Sequence, residues 1–165
     1  MKKSVIAAFF ALILTLPLIL ASCGADSVTY SSSISTDDLA SAADAALGFG
    51  ETLTEVPDDY IRGMMAIDTS AFADYTVKIR ASGANIDEYG ILKAPEGVAV
   101  SEIESIAKDY LAMRLDIWMD EYMPEEKPKL EKATVKVMGS YVIYCILDDA
   151  AKDTAFGAIE AELTK

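Results

Sequence analysis

Two hydrophobic periods alternate along this chain, and the switches between them mark its elements. Leu39, Ala42, Ala43, Ala46 and Leu47 recur at helical spacing. Ser35 or Thr36 can cap that helix, Asp37 and Asp38 suit its first turn, and Gly48 stops it. A short second helix is expected after Pro57, with Tyr60, Ile61, Met64 and Met65 as its apolar side. The period then drops to two. From Asp74 to Arg80, Tyr75, Val77 and Ile79 alternate with Thr76, Lys78 and Arg80, Ser82 to Asn85 signals a turn, and Ile86 to Ala94 reads as the return strand. Pro95 to Gly97 breaks the pattern, and Ser101-Glu102-Ile103-Glu104 reads as a capping box. It opens a long helix whose stripe is Ile103, Ile106, Ala107, Tyr110, Met113, Ile117 and Trp118, ending before Pro124.

After a charged link from Glu125 to Lys132, Thr134 to Met138 alternates again and Gly139-Ser140 makes a tight turn. Tyr141 to Leu147 is apolar on both faces, the mark of a strand that is central or covered on both sides. Asp148 or Asp149 then caps a last helix carrying Phe156, Ile159 and Leu163. The expected fold is α+β: a mostly antiparallel four-stranded sheet from two hairpins, each followed by a helix, with one or two N-terminal helices and the long helix across one face. Residues 36–165 are read as a single domain.

The N-terminus follows a different grammar. Lys2 and Lys3 precede an apolar run from Val5 to Leu20 that falls short of the roughly 20 residues of a spanning helix. The run ends Leu20-Ala21-Ser22-Cys23, similar to the lipobox of bacterial lipoproteins. There a diacylglycerol is transferred to the thiol, and cleavage before it requires small residues at the two preceding positions. Residues 1–22 are therefore read as a signal peptide, Cys23 as the lipidation site, and residues 23–35, with three consecutive serines, as a flexible tether. The expected location is the extracytoplasmic face of the cell membrane, with the lipid anchor as the contact to that membrane.

Removing residues 1–22 changes the charge balance. The rest keeps 12 of the 14 basic residues and all 27 acidic ones, a formal charge of −15. That opposes nucleic acid. With Cys23 acylated, Cys145 has no partner and is expected to be an inert core thiol. The chain contains no histidine, which removes Ser-His-Asp triads, His-bound zinc and Cys-His nucleophiles together. It also lacks a phosphate-binding glycine loop and a calcium-binding D-x-[DN]-x-[DN]-G loop, so neither cofactor nor metal is expected.

The stretches Ile67-Asp68 with Tyr75, Ser82-Gly83-Ala84 leading into Asp87-Glu88-Tyr89-Gly90-Ile91, Tyr122-Met123-Pro124-Glu125-Glu126, and Gly139-Ser140-Tyr141-Val142 with Asp148-Asp149 carry a resemblance. Their order and spacing over roughly residues 36–163 are similar to a bacterial lipoprotein family catalogued as domain of unknown function 4358. The family tends to have Asn where this chain has Ser140. The resemblance implies a lipoprotein whose activity is not established, and it transfers no catalytic residue.

The remaining chemistry lies in carboxylates and aromatics. Paired acids occur at Asp37-Asp38, Asp58-Asp59, Asp87-Glu88, Asp120-Glu121, Glu125-Glu126 and Asp148-Asp149, several of them at helix starts. Tyr110, Trp118 and Tyr122 could form a sugar- or peptide-binding platform, although Tyr110 and Trp118 belong to the core stripe. Glu88, Tyr89 and Tyr122 are the candidates for an interaction surface. The reading is a non-enzymatic binding module with an envelope protein or peptide as partner. The alternative is a carboxylate-based cell-wall glycan hydrolase, which requires two carboxyl groups facing each other across a groove.

Overall fold

The computed structural model describes residues 28–48, 53–83 and 85–165. The segment read as a signal peptide, residues 1–22, and Cys23 lie outside them. Helix α1 spans Thr36–Leu47; the Ser35 side chain accepts from the Asp38 amide, and Gly48 closes the helix in the left-handed conformation (φ 64°). Strand β1 (Leu53–Glu55), helix α2 (Asp58–Met64) and a 3-10 turn (Thr69–Ala71) lead to the hairpin of β2 (Asp74–Arg80) and β3 (Glu88–Lys93). Helix α3 (Val100–Asp116), the short α4 (Lys127–Glu131), the hairpin of β4 (Thr134–Met138) and β5 (Tyr141–Ile146), and α5 (Asp149–Leu163) follow. No helix among the described residues is long and apolar enough to cross a membrane.

The five strands are all antiparallel, in the order β1-β2-β3-β5-β4. The α+β class agrees with expectation, but the sheet has five strands rather than four. The added edge strand, β1, is only three residues long and pairs Leu53 with Arg80 and Glu55 with Lys78. So short a run carries no period of its own, and pairing with β2 defines it. The charged link likewise contains α4, with Pro128 in its first turn. Ser101 does not act as the cap of α3: the helix begins two residues earlier than such a cap would place it, Ala99 stands at the N-cap without a side-chain bond, and Glu104 instead pairs with Lys108 at 2.7 Å. The same helix stops at Asp116, leaving Ile117 63% exposed rather than on a core stripe.

Strand alternation splits the core in two. Tyr89, Ile91, Tyr141, Ile143 and Cys145 face α1 and α5, packing on Leu39, Ala43, Phe156 and Ile159. Val77, Leu92, Val142 and Tyr144 face the other side, under Ile61, Ile103, Ala107 and Tyr110 of α2 and α3. All six residues of β5 are buried, as its unbroken hydrophobicity predicts for a strand covered twice.

The described N-terminal residues are held against the domain. The Ser31 amide donates to the Leu163 carbonyl at 2.8 Å, the Tyr30 hydroxyl to Glu160 at 2.8 Å, and the Tyr141 hydroxyl to the Ile34 carbonyl at 2.6 Å. Tyr30 also lies against Gly139 in the β4–β5 turn. The stretch read as a flexible tether is therefore docked from Tyr30 onward.

Candidate functional site

Register gives the sheet two distinct ends. Met138, Tyr141, Lys93 and Asp74 share the end where residues 30–34 dock. Ile146, Glu88 and Arg80 share the other end, which also receives the C-terminus of α3. There a cleft of about 240 Å³ opens, lined among others by Tyr60, Arg80, Glu88, Arg114, Trp118 and Tyr122.

Glu88 forms its inner wall. The carboxylate is almost wholly buried, with a side-chain exposure of 3%. Oε1 accepts from the Tyr110 hydroxyl at 2.8 Å and the Tyr144 hydroxyl at 2.9 Å, and Oε2 from Arg114 Nη1 at 2.7 Å. Arg114 Nη1 also donates to the Tyr110 oxygen at 2.7 Å. A buried carboxylate is stable only when paired and hydrogen-bonded in this manner. Local sequence explains the convergence. Residues 88 and 90 share the face toward α3, Gly90 stands opposite Tyr144, and Tyr110 and Arg114 lie one turn apart on α3. Gly90 is required here, because a Cβ would sit 2.6 Å from the Tyr144 Cζ and 2.9 Å from its Oη.

These contacts shift titration. Burial first, then the Glu88 charge, pushes the Tyr110 and Tyr144 hydroxyls well above the ordinary tyrosine range. For Arg114, burial works against the charged form, but the Glu88 carboxylate and the Tyr110 hydroxyl outweigh it and raise the guanidinium further.

A second ion cluster holds the rim. Asp87 bridges Arg80 at 2.9 Å and Lys129 at 2.8 Å; Lys129 also reaches Glu126 at 2.9 Å, whose carboxylate accepts from the Ile86 amide at 3.1 Å. It ties the β2–β3 connection to α4. The aromatic part is formed by Trp118 and Tyr122, with ring centroids 6.2 Å apart and tilted by 56°, and by Tyr60. Tyr122 is 55% and Tyr60 38% exposed. The backbone beyond them turns through Met123 at φ 46°.

Of the sequence-derived candidates, Glu88 and Tyr122 line this cleft. Tyr89 does not. It points to the opposite sheet face, is fully buried, and donates to Asp44 at 2.7 Å and the Ala40 carbonyl at 3.1 Å. Adjacent strand residues face opposite ways, so Glu88 and Tyr89 could not both contribute to one surface. Tyr110 supports the cleft from below. Arg80, Arg114 and Tyr60 are cleft residues that sequence reasoning missed; the usable signal was an arginine one turn beyond a core tyrosine on α3. Other acid pairs make structural contacts: Asp37 accepts from Thr76 of β2 at 2.6 Å, Asp58 pairs with Arg62 at 2.8 Å, and Asp148 caps α5. No group of acidic or cysteine side chains among the described residues is arranged to hold a metal ion.

A family model described as "Domain of unknown function (DUF4358)" matches residues 46–147, more than half of the chain. That span contains every cleft residue named above. No curated protein matches the chain, and no solved structure does.

Proposed function

The chain belongs to the DUF4358 family, and from that premise we propose that it is a non-enzymatic binding module, lipid-anchored through Cys23 on the extracytoplasmic face of the membrane. The carrying observation is the opposition of the two sheet ends. Residues 30–34 dock beside Gly139 and Leu163, whereas the cleft lies at the end marked by Glu88 and Ile146. The seven residues from Cys23 to Tyr30 reach at most about 24 Å. The six-residue β5 adds roughly 20 Å between the docked end and the cleft. An anchor at Cys23 therefore presents the cleft away from the lipid.

Binding is favoured over glycan hydrolysis by the state of the carboxylates. Asp87 and Glu88 are both engaged by cations, and Glu88 by two hydroxyls as well. They are the acidic residues that line the cleft, and both are committed to these structural contacts, whereas glycoside cleavage needs two carboxyl groups facing each other across a groove.

Trp118 is the only tryptophan, so its fluorescence reports the cleft alone. The lipidated protein is reconstituted in vesicles containing lipids spin-labelled at the headgroup. Trp118 emission is expected to stay unquenched, while a fluorophore placed at Ser33 is quenched. Strong quenching of Trp118 would refute the outward orientation. In cells, Cys23→Ala is expected to move the protein out of the membrane fraction; retention there would refute the anchor.

A further inference from the structure

Resting on that binding reading, we infer that the cleft is a carbohydrate site for one neutral sugar ring. The charges in its walls select against ions of either sign. A cation finds no free negative charge, because the lining carboxylates Asp87 and Glu88 are already held by Arg80 and Arg114. An anion meets a domain of strongly negative charge, and both guanidiniums already hold a carboxylate. What remains is a neutral ligand that can stack on aromatic rings and exchange hydrogen bonds. The face of a sugar ring stacks on aromatics such as Trp118, Tyr122 and Tyr60, and its hydroxyls both donate and accept.

Unused donors point the same way. Arg114 is engaged through Nη1 only; its Nε and Nη2 make no hydrogen bond among the described residues. The Trp118 indole N–H is covered and likewise lacks an acceptor among them. A covered donor without a partner is destabilising. A small turn of the half-buried ring toward a ligand oxygen removes that cost. The volume of about 240 Å³ is below the roughly 300–1,000 Å³ of sites that enclose drug-sized molecules, which limits the enclosed part to a single ring. Further units of a longer glycan project past Tyr122.

The test is a titration of Trp118 fluorescence in the full-length protein, held in detergent micelles. The probes are cellobiose, maltose, lactose and N,N′-diacetylchitobiose, with glucuronic acid, choline and a tyrosine-containing tripeptide as contrasts. A saturable response to at least one neutral sugar is expected. It should weaken about tenfold in Tyr122→Ala, the loss appropriate to one stacking ring. Tyr122 is exposed and makes no hydrogen bond through its ring, so this variant folds; Tyr60→Ala, also at the rim, is the second variant. No response to any neutral sugar overturns the proposal, as does a response unchanged in both variants. Saturation by glucuronic acid, choline or the tripeptide alone also overturns it, while leaving the cleft a binding site. The vesicle experiment above is independent of all these outcomes.

Discussion

Gly90→Ala is the most discriminating perturbation of the buried network. The new methyl would sit inside the Tyr144 ring, 2.6 Å from Cζ and closer still to Cε1. The ring has nowhere to go. It is fully buried, meets Tyr110 edge-on at 5.5 Å, and ends in the 2.9 Å bond to Glu88. Overpacking of this kind costs about 1–3 kcal/mol. Losing a hydrogen bond to a charged group adds roughly 1.5–3 kcal/mol. The lower entropy of an unfolded alanine returns about 0.4–1 kcal/mol. The net expectation is a loss of about 3 kcal/mol, or on the order of 10 °C in Tm for a domain of this size. Guanidinium denaturation followed by Trp118 emission measures it. Gly63→Ala is the control: outside its own helix and chain neighbours nothing lies within 4 Å of its would-be Cβ, and at the next-to-last position of α2 the change should be neutral or stabilise by less than about 1 kcal/mol. In a Tyr144→Ala background the clash is gone, so adding Gly90→Ala should cost far less than it does alone. A loss below about 1 kcal/mol for Gly90→Ala, or full additivity in the double variant, would refute the account of the Gly90–Tyr144 contact.

Glu88→Ala leaves Arg114 and two buried hydroxyls without their acceptor and should cost about 3–5 kcal/mol, against about 0–0.5 kcal/mol for Glu104→Ala in its exposed pair; equal losses in urea denaturation would contradict the network. Tyr89, Tyr110 and Tyr144 have folded-state pKa values raised by burial, so their contribution is complete below the ordinary tyrosine value near 10 and is lost as pH climbs above it. The Cys145 thiol, held up to about 12 by burial, begins the loss above the ordinary cysteine value near 8.5, and the tyrosines steepen it beyond about 10, so the denaturation midpoint should be level up to about pH 8 and fall progressively above; a midpoint still flat at pH 11.5 would contradict this. Burial pushes the Cys145 thiol up to about 12, so a thiol reagent should find no reactive group in the native protein and one after denaturation; two would mean that the Cys23 sulfur carries no lipid.

Much of the fold was legible because its signals are local. Ser35 and Gly48 bracket α1, Asp148 opens α5, and the two hairpins follow from period-two stretches separated by Gly-containing turns. Where local signals compete, the reading slipped. Ser101 and Glu104 have a capping box's spacing, yet the chain enters α3 two residues earlier, with Ala99 at the N-cap. Tyr60 and Met64 share a helical stripe with Ile61, but the seven-residue α2 buries only Ile61 against the sheet.

For this protein, the order of residues alone determined the elements, their antiparallel hairpins, the strand covered on both faces, and the exclusion of every chemistry that needs histidine. Those conclusions need only neighbours within a turn or a strand. The cleft could not be reached in that way. Glu88 lies 22 residues from Tyr110, 26 from Arg114 and 56 from Tyr144, and nothing in any one segment announces the others. Period two states that Glu88 and Tyr89 part company, but not which of them meets α3 and which α1. Tertiary packing made that assignment: α3 crosses the face that carries Glu88 and Gly90, and a surface-looking acid pair becomes two buried carboxylates, Glu88 held under α3 and Asp87 held by Arg80 and Lys129.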